Sequence, residues 1–105
     1  MTHLDQTFAA LSDTTRRAIL ARLASGDVSL SDLAVPFDMS QTAVSKHVRV
    51  LSDAGLVSVR KRGRTRYCTL HTGPMQEAVS WLEKYQSFWT GQFDALSKHM
   101  EGKTQ

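Results

Sequence analysis

Seven of the chain's 13 lysines and arginines fall within residues 40–70, a 31-residue stretch with one acid, Asp53. That stretch carries +6, and the other 74 residues sum to −3, so the overall charge of +3 conceals the concentration. Guanidinium and ammonium groups at such density suit the neutralisation of a row of phosphates. Beside them stand Gln41, Thr42 and Ser45, whose amide and hydroxyl groups can hydrogen-bond base edges. No carboxylate pair, nucleophile–base arrangement or glycine-rich phosphate loop occurs at interpretable spacing. The chemistry on offer is polyanion binding; an enzyme is not expected.

Two elements must position these groups. The first is a helix beginning at Ser40, whose hydroxyl can accept from the first free backbone N–H groups. Met39 and Val44 occupy the positions of a hydrophobic staple at its entry. Val44, Val48 and Leu51 form the inward stripe, with His47 at its border and expected as a core-edge residue. Gln41, Thr42, Ser45, Lys46 and Arg49 then point outward. Gly55 suits the left-handed position after the helix, with Leu56 placed to touch Leu51. The second element is a β-hairpin over 56–70. If Gly63-Arg64 is a two-residue type II′ turn, paired positions sum to 127. Val57, Leu70, Val59 and Cys68 then share an inward face, and Arg62, Arg64 and Arg66 gather at or near the tip. A strand pair attached to a helix-turn-helix in this way is a wing.

Leu4, Phe8 and Leu11 recur at helical spacing and give a short first helix. Asp13 should cap the next, whose Ile19, Leu20 and Leu23 form a core stripe ending at Gly26. Arg16, Arg17 and Arg22 fall off that stripe and are expected on a solvated face. Ser29 should cap a short helix through Leu30, Leu33 and Ala34, which Pro36 helps to close. Gly73-Pro74 opens a long final helix. Its stripe runs through Met75, Val79, Leu82, Trp89, Phe93, Leu96 and Met100, widened by Trp81, Tyr85, Phe88 and Ala95. Five of the eight aromatic residues lie between positions 81 and 93. One small domain buries one side of such a helix, so the surplus calls for a partner.

At 105 residues the chain reads as one mainly α domain with a small β-hairpin over 1–100 and a flexible tail over 101–105. A single cysteine, Cys68, allows no disulfide within the chain. No apolar run approaches the ~20 residues of a membrane span, and no secretory pattern opens the sequence. A soluble, cytoplasmic protein is expected.

With its elements in this order, the chain resembles the ArsR/SmtB family of small winged-helix repressors over roughly residues 4–100. The resemblance rests on Ala10-Leu-Ser-Asp-Thr-Thr-Arg-Arg-Ala-Ile-Leu20, Ser40-Gln-Thr-Ala-Val-Ser-Lys-His-Val-Arg-Val-Leu51 and Ala54-Gly-Leu-Val57. Thr14 departs from the proline that many members carry at that helix start. The resemblance implies a homodimer joined through its first and last helices, here through Leu4, Phe8, Trp81, Tyr85, Phe88 and Trp89. It also implies two reading helices in successive major grooves of a palindromic operator in double-stranded DNA. Repression follows, often of the regulator's own promoter. Gln41, Thr42, Ser45 and Lys46 match the positions where operator contacts are expected, and Arg49 is expected at a phosphate. Arg60, Lys61, Arg62, Arg64 and Arg66 should hold the backbone, with Arg64 the best candidate for the minor groove.

Many family members sense metals through a Cys-x-Cys-type site on the helix before the turn. Here that helix reads Leu30-Ser-Asp-Leu-Ala-Val35, without Cys or His. Asp94 and His99 on the final helix stand five apart and share no face. No metal, cofactor or identified inducer is therefore expected. Two alternatives to a DNA-binding repressor stand beside it. A protein-interaction winged helix would not need the +6 segment. A thiol-responsive repressor would act through Cys68, which strand parity places inward, where packing is the simpler role. RNA binding is disfavoured because the aromatics sit on the final helix and not on an exposed strand platform.

Overall fold

The computed structural model describes residues 2–86, 88, 90–92 and 94–97. The expectations placed on Trp89, Phe93, His99, Met100 and the tail at 101–105 lie outside the described residues. The elements run α1 (His3–Leu11), α2 (Thr14–Leu23), β1 (Val28–Ser29), α3 (Leu30–Ala34), α4 (Gln41–Asp53), β2 (Val57–Arg62), β3 (Thr65–Leu70) and α5 (Gly73–Glu83).

Four helix starts follow from local side-chain chemistry. Thr2 and Asp5 form a reciprocal capping box at α1. Asp13, Ser29 and Ser40 each accept from a backbone N–H three residues on, opening α2, α3 and α4. The end of α4 is a Schellman closure: Leu56 N–H donates to Leu51 O and Gly55 N–H to Ser52 O, each at 2.9 Å. Gly55 takes φ +77°, which an L side chain would resist.

The hairpin register is the expected one, from Val57 opposite Leu70 to Arg62 opposite Thr65. At its tip Gly63 has φ +62°, as the first central residue of a type II′ turn requires, and Arg64 has no positive φ. The sheet, however, has three strands in the order β1-β3-β2. Val28 and Ser29 pair with Cys68 and Tyr67, so β3 is central. Two residues show no alternation, and Ser29 also serves as a helix cap, so β1 carries no periodic signal.

The core joins Ile19, Leu20 and Leu23 of α2, Leu33 of α3, Val44, Val48 and Leu51 of α4, and Leu56, Val57 and Cys68. Val59, expected inward, is 39% exposed, because β2 is an edge strand leaving the helices behind. In α1 the buried residues are Thr7 and Ala10, while Leu4 and Leu11 are half-buried and Phe8 stays exposed. The Thr7 hydroxyl donates to His3 O at 3.0 Å, so its burial leaves no polar atom unsatisfied.

The final helix is not the expected continuous stripe. Lys84 N–H still donates to Ser80 O at 3.3 Å, but Tyr85 N–H turns to Leu82 O at 3.1 Å, and α5 ends at Glu83. Residues 86, 88, 90–92 and 94–97 are again helical. No glycine or proline marks this break. Within α5 only Ala78 is buried, and Val79, Trp81 and Leu82 remain exposed.

Candidate nucleic-acid interface

The polar face of α4 is set by its apolar one. Val44, Val48 and Leu51 are buried at three- and four-residue spacing, which fixes the rotation of the helix. Gln41, Thr42, Lys46 and Arg49 are consequently exposed and Ser45 is half-buried. The wing meets the start of this helix. Gln41 and Ser45 line one open cleft with Arg64, Thr65 and Arg66 of the wing and with Leu30 and Ser31 of α3. Groups suited to base edges and groups suited to phosphates thus share one surface.

The wing arginines do not act as one cluster. Arg64 and Arg66 face the cleft, whereas Arg62 stands over the Tyr67 ring at 5.2 Å to its centroid. Arg62 also reaches Asp27, in the turn before β1, at 3.6 Å. The base of the wing is pinned by His71, whose N–H donates to Leu56 O at 2.8 Å and whose ring hydrogen-bonds Ser58 Oγ at 2.8 Å. Arg60 and Lys61 are exposed along β2.

Arg16, Arg17 and Arg22 were expected on a solvated face; Arg17 and Arg22 are exposed, Arg16 is half-buried, and both Arg16 and Arg17 are engaged with the end of α1. Arg16 Nε donates to Ala10 O at 2.7 Å, and Arg17 Nη1 donates to Leu11 O at 2.7 Å. These carbonyls have no partner inside α1, and a cation at a helix C-terminus also meets its dipole. His47, half-buried at the border of the α4 stripe, lies beside Arg16 and 3.7 Å from Asp13. The hydrogen bond from the Arg16 backbone N–H holds the Asp13 carboxyl below its ordinary value of 3.8; partial desolvation opposes this, and the charges of His47 and Arg16 assist.

Cys68 is fully buried, and burial pushes its thiol above the ordinary 9.0. A thiolate is disfavoured there, contrary to what a redox switch would need. Among the described residues, no three His, Cys, Asp or Glu side chains gather as a metal site, and no helix is long and apolar enough to cross a membrane.

Sequence reasoning missed Ser31 and Thr65 as cleft residues and Asp27 and Tyr67 as partners of Arg62. Thr65 and Tyr67 lie on β3 itself, within reach of the expected register, whereas Ser31 and Asp27 come in only because α3 and the turn before β1 approach the wing.

A helix-turn-helix domain model matches residues 11–60, from the end of α1 into the wing. The transcriptional repressor SdpR of Bacillus subtilis (strain 168) is 34% identical over 79 residues, 75% of this chain and 88% of the relative. An HTH-type transcriptional regulator of Mycobacterium tuberculosis, Rv2034, is 38% identical over 86 residues, 82% of this chain and 78% of its own. A solved ArsR family transcriptional regulator superposes with a TM-score of 0.77 at 40% identity, covering 84% of this chain and 91% of that one. The chain belongs to the ArsR/SmtB family. It is a winged-helix transcriptional regulator with a helix-turn-helix DNA-binding domain, and α4 is the second helix of that motif. In this ArsR/SmtB chain the three-stranded sheet forms the wing.

Proposed function

We propose that the chain is a dimeric repressor that binds a palindromic operator, one half-site per copy. Its α4 enters the major groove with Gln41, Thr42, Ser45 and Lys46 toward the bases, and Arg49 holds an adjacent phosphate. Arg60, Arg64 and Arg66 hold the backbone along the wing, with Arg62 joining them. The observation that carries this reading is the cleft shared by Gln41, Ser45, Arg64 and Arg66. A protein-binding winged helix has no use for that pairing of amide, hydroxyl and guanidinium groups.

The second copy is argued from exposed apolar surface. Phe8 and Trp81 meet edge to face at 5.9 Å, and Trp81 continues to Tyr85 at 5.2 Å. Phe8, Trp81, Tyr85 and Phe88 are 38–56% exposed, and Leu4 and Trp81 line an open groove between α1 and α5. Aromatic surface of this extent is normally covered by a partner. The reading places the protein in the cytoplasm, unit 1–100 acting as one DNA-binding and dimerising body, with no cofactor and no catalytic step. Occupation of a promoter, the protein's own among them, blocks transcription.

The test is selection of bound duplexes from a random-sequence pool, followed by a gel shift on the region upstream of the protein's own gene. The reading predicts enrichment of an inverted repeat whose half-site centres lie about 10 base pairs apart, or a multiple of that. No enrichment, or a single unrepeated site, would remove the dimeric operator from the account.

A further inference from the structure

Arg16 links the end of α1 to the middle of α4. Its Nε donates to Ala10 O at 2.7 Å and its Nη2 to Ala9 O at 3.2 Å, closing the C-terminal turn of α1. Its Nη1 lies 3.4 Å from His47 Nδ1 on α4. Asp13, which accepts from the Arg16 backbone N–H at 3.1 Å, balances the guanidinium and stands 3.7 Å from the same imidazole nitrogen. An arginine only donates, so in a neutral ring this contact makes Nδ1 the acceptor and puts the ring proton on Nε2. The His47 side chain is 21% exposed, between the buried stripe and the polar face of α4.

A planar guanidinium spreads its donors over three nitrogens in one fixed fork and so spans two carbonyls and an imidazole, whereas an ammonium gathers its three donors on one nitrogen at the end of a flexible stem. The fork therefore ties the end of α1, a helix assigned above to self-association, to the middle of the helix assigned to the groove. We propose that His47 is a positioning residue for DNA reading: through Arg16 it sets the seating of α4 against α1. The proposal rests on α4 being the reading helix. Base contacts need that seating to be held closely, whereas phosphate contacts from the wing tolerate small displacements.

The experiment uses the full chain and two duplexes, one selected by the wild-type protein from a random pool and one of scrambled sequence. The variants are His47→Ala, His47→Asn, Arg16→Lys and the double variant Arg16→Lys/His47→Ala. Asparagine places an acceptor where Nδ1 stands. Thermal melting and sedimentation accompany each variant, because Arg16→Lys also withdraws hydrogen bonds from α1. His47→Ala should weaken the selected duplex about tenfold and the scrambled duplex by less than about twofold, and in the Arg16→Lys background its effect should largely vanish. His47→Asn should restore most of the loss. Equal His47→Ala losses with and without Arg16 would mean that His47 acts on DNA by itself, and the proposal would fall. Equal losses on both duplexes, with a lowered melting temperature, would reduce His47 to a stability residue and overturn it as well. A wild-type protein that selects no duplex would overturn the reading of α4 and this proposal with it.

Discussion

Lys61 and Arg66 are direct partners across the β2–β3 ladder, two exposed cations opposite each other on one face of the wing. Like charges in that relationship are unfavourable in the free protein. Their persistence in the structure makes sense when a phosphate supplies the missing counter-charge. Lys61→Thr should raise the stability of the free protein by about 0.2–1 kcal/mol. It should also weaken binding to any duplex and reduce the slope of log affinity against log salt by about one. Melting curves and a salt titration check the two halves separately.

The wing arginines should divide. Arg64 faces the α4 cleft, and Arg62 is shared with Tyr67 and Asp27. Arg64→Ala should weaken selected and scrambled duplexes alike and flatten the salt dependence by about one phosphate. Arg62→Ala should do less, because its guanidinium must leave two partners before reaching DNA. Anisotropy titrations at several salt concentrations compare them, and a larger loss for Arg62 would reverse the assignment.

The hairpin and α4 were legible from sequence because each carries local signals that agree. Parity around Gly63 gave the register, and Gly55 with Leu56 and Leu51 gave the end of α4. What escaped was tertiary. The two-residue strand Val28–Ser29 exists only because β3 offers it an edge. Nothing local to Arg16 and Arg17 marks their carbonyl partners, which appear only when α1 folds back and presents its last turn. Thr7 and Ala10 are buried in place of the larger Phe8, because small side chains sit on the face of α1 that packs in the chain. The break after Glu83 has no residue-type signature, so the aromatic stripe read as continuous. In the interface, the α4 residues followed from the buried stripe, and the division among the wing arginines required Asp27 and Tyr67 to be placed in space.

Tyr85 stands at that break, 43% exposed and in contact with Trp81. Tyr85→Glu places a charge on the face assigned to the partner copy, where burial without a counter-ion is costly. Sedimentation should show a shift from dimer to monomer, and operator affinity should fall about 100-fold or more as the linked second half-site contact is lost. An unchanged dimer would move the interface elsewhere.

Asp13 carries a pH signature. Its carboxyl is held below the ordinary 3.8, so its ionised form is favoured by the fold. The stability it contributes is present in full above 3.8 and is lost as pH falls through the lowered value. Asparagine keeps the helix cap but does not titrate there. Asp13→Asn should therefore show a shallower fall of melting temperature on acidification below the ordinary carboxylate range, while its cap keeps the protein folded at neutral pH. Parallel acid profiles would assign the acid sensitivity to other groups.

The central claim is that the polar face of α4 reads sequence while the wing holds the backbone. Its most direct test is the affinity of Gln41→Ala and Ser45→Ala for the selected duplex and for a scrambled one under identical salt. The account predicts a loss of about 1–3 kcal/mol on the selected duplex and much less on the scrambled one. Equal losses on both would contradict it, leaving α4 as another backbone contact and the source of specificity elsewhere in the chain.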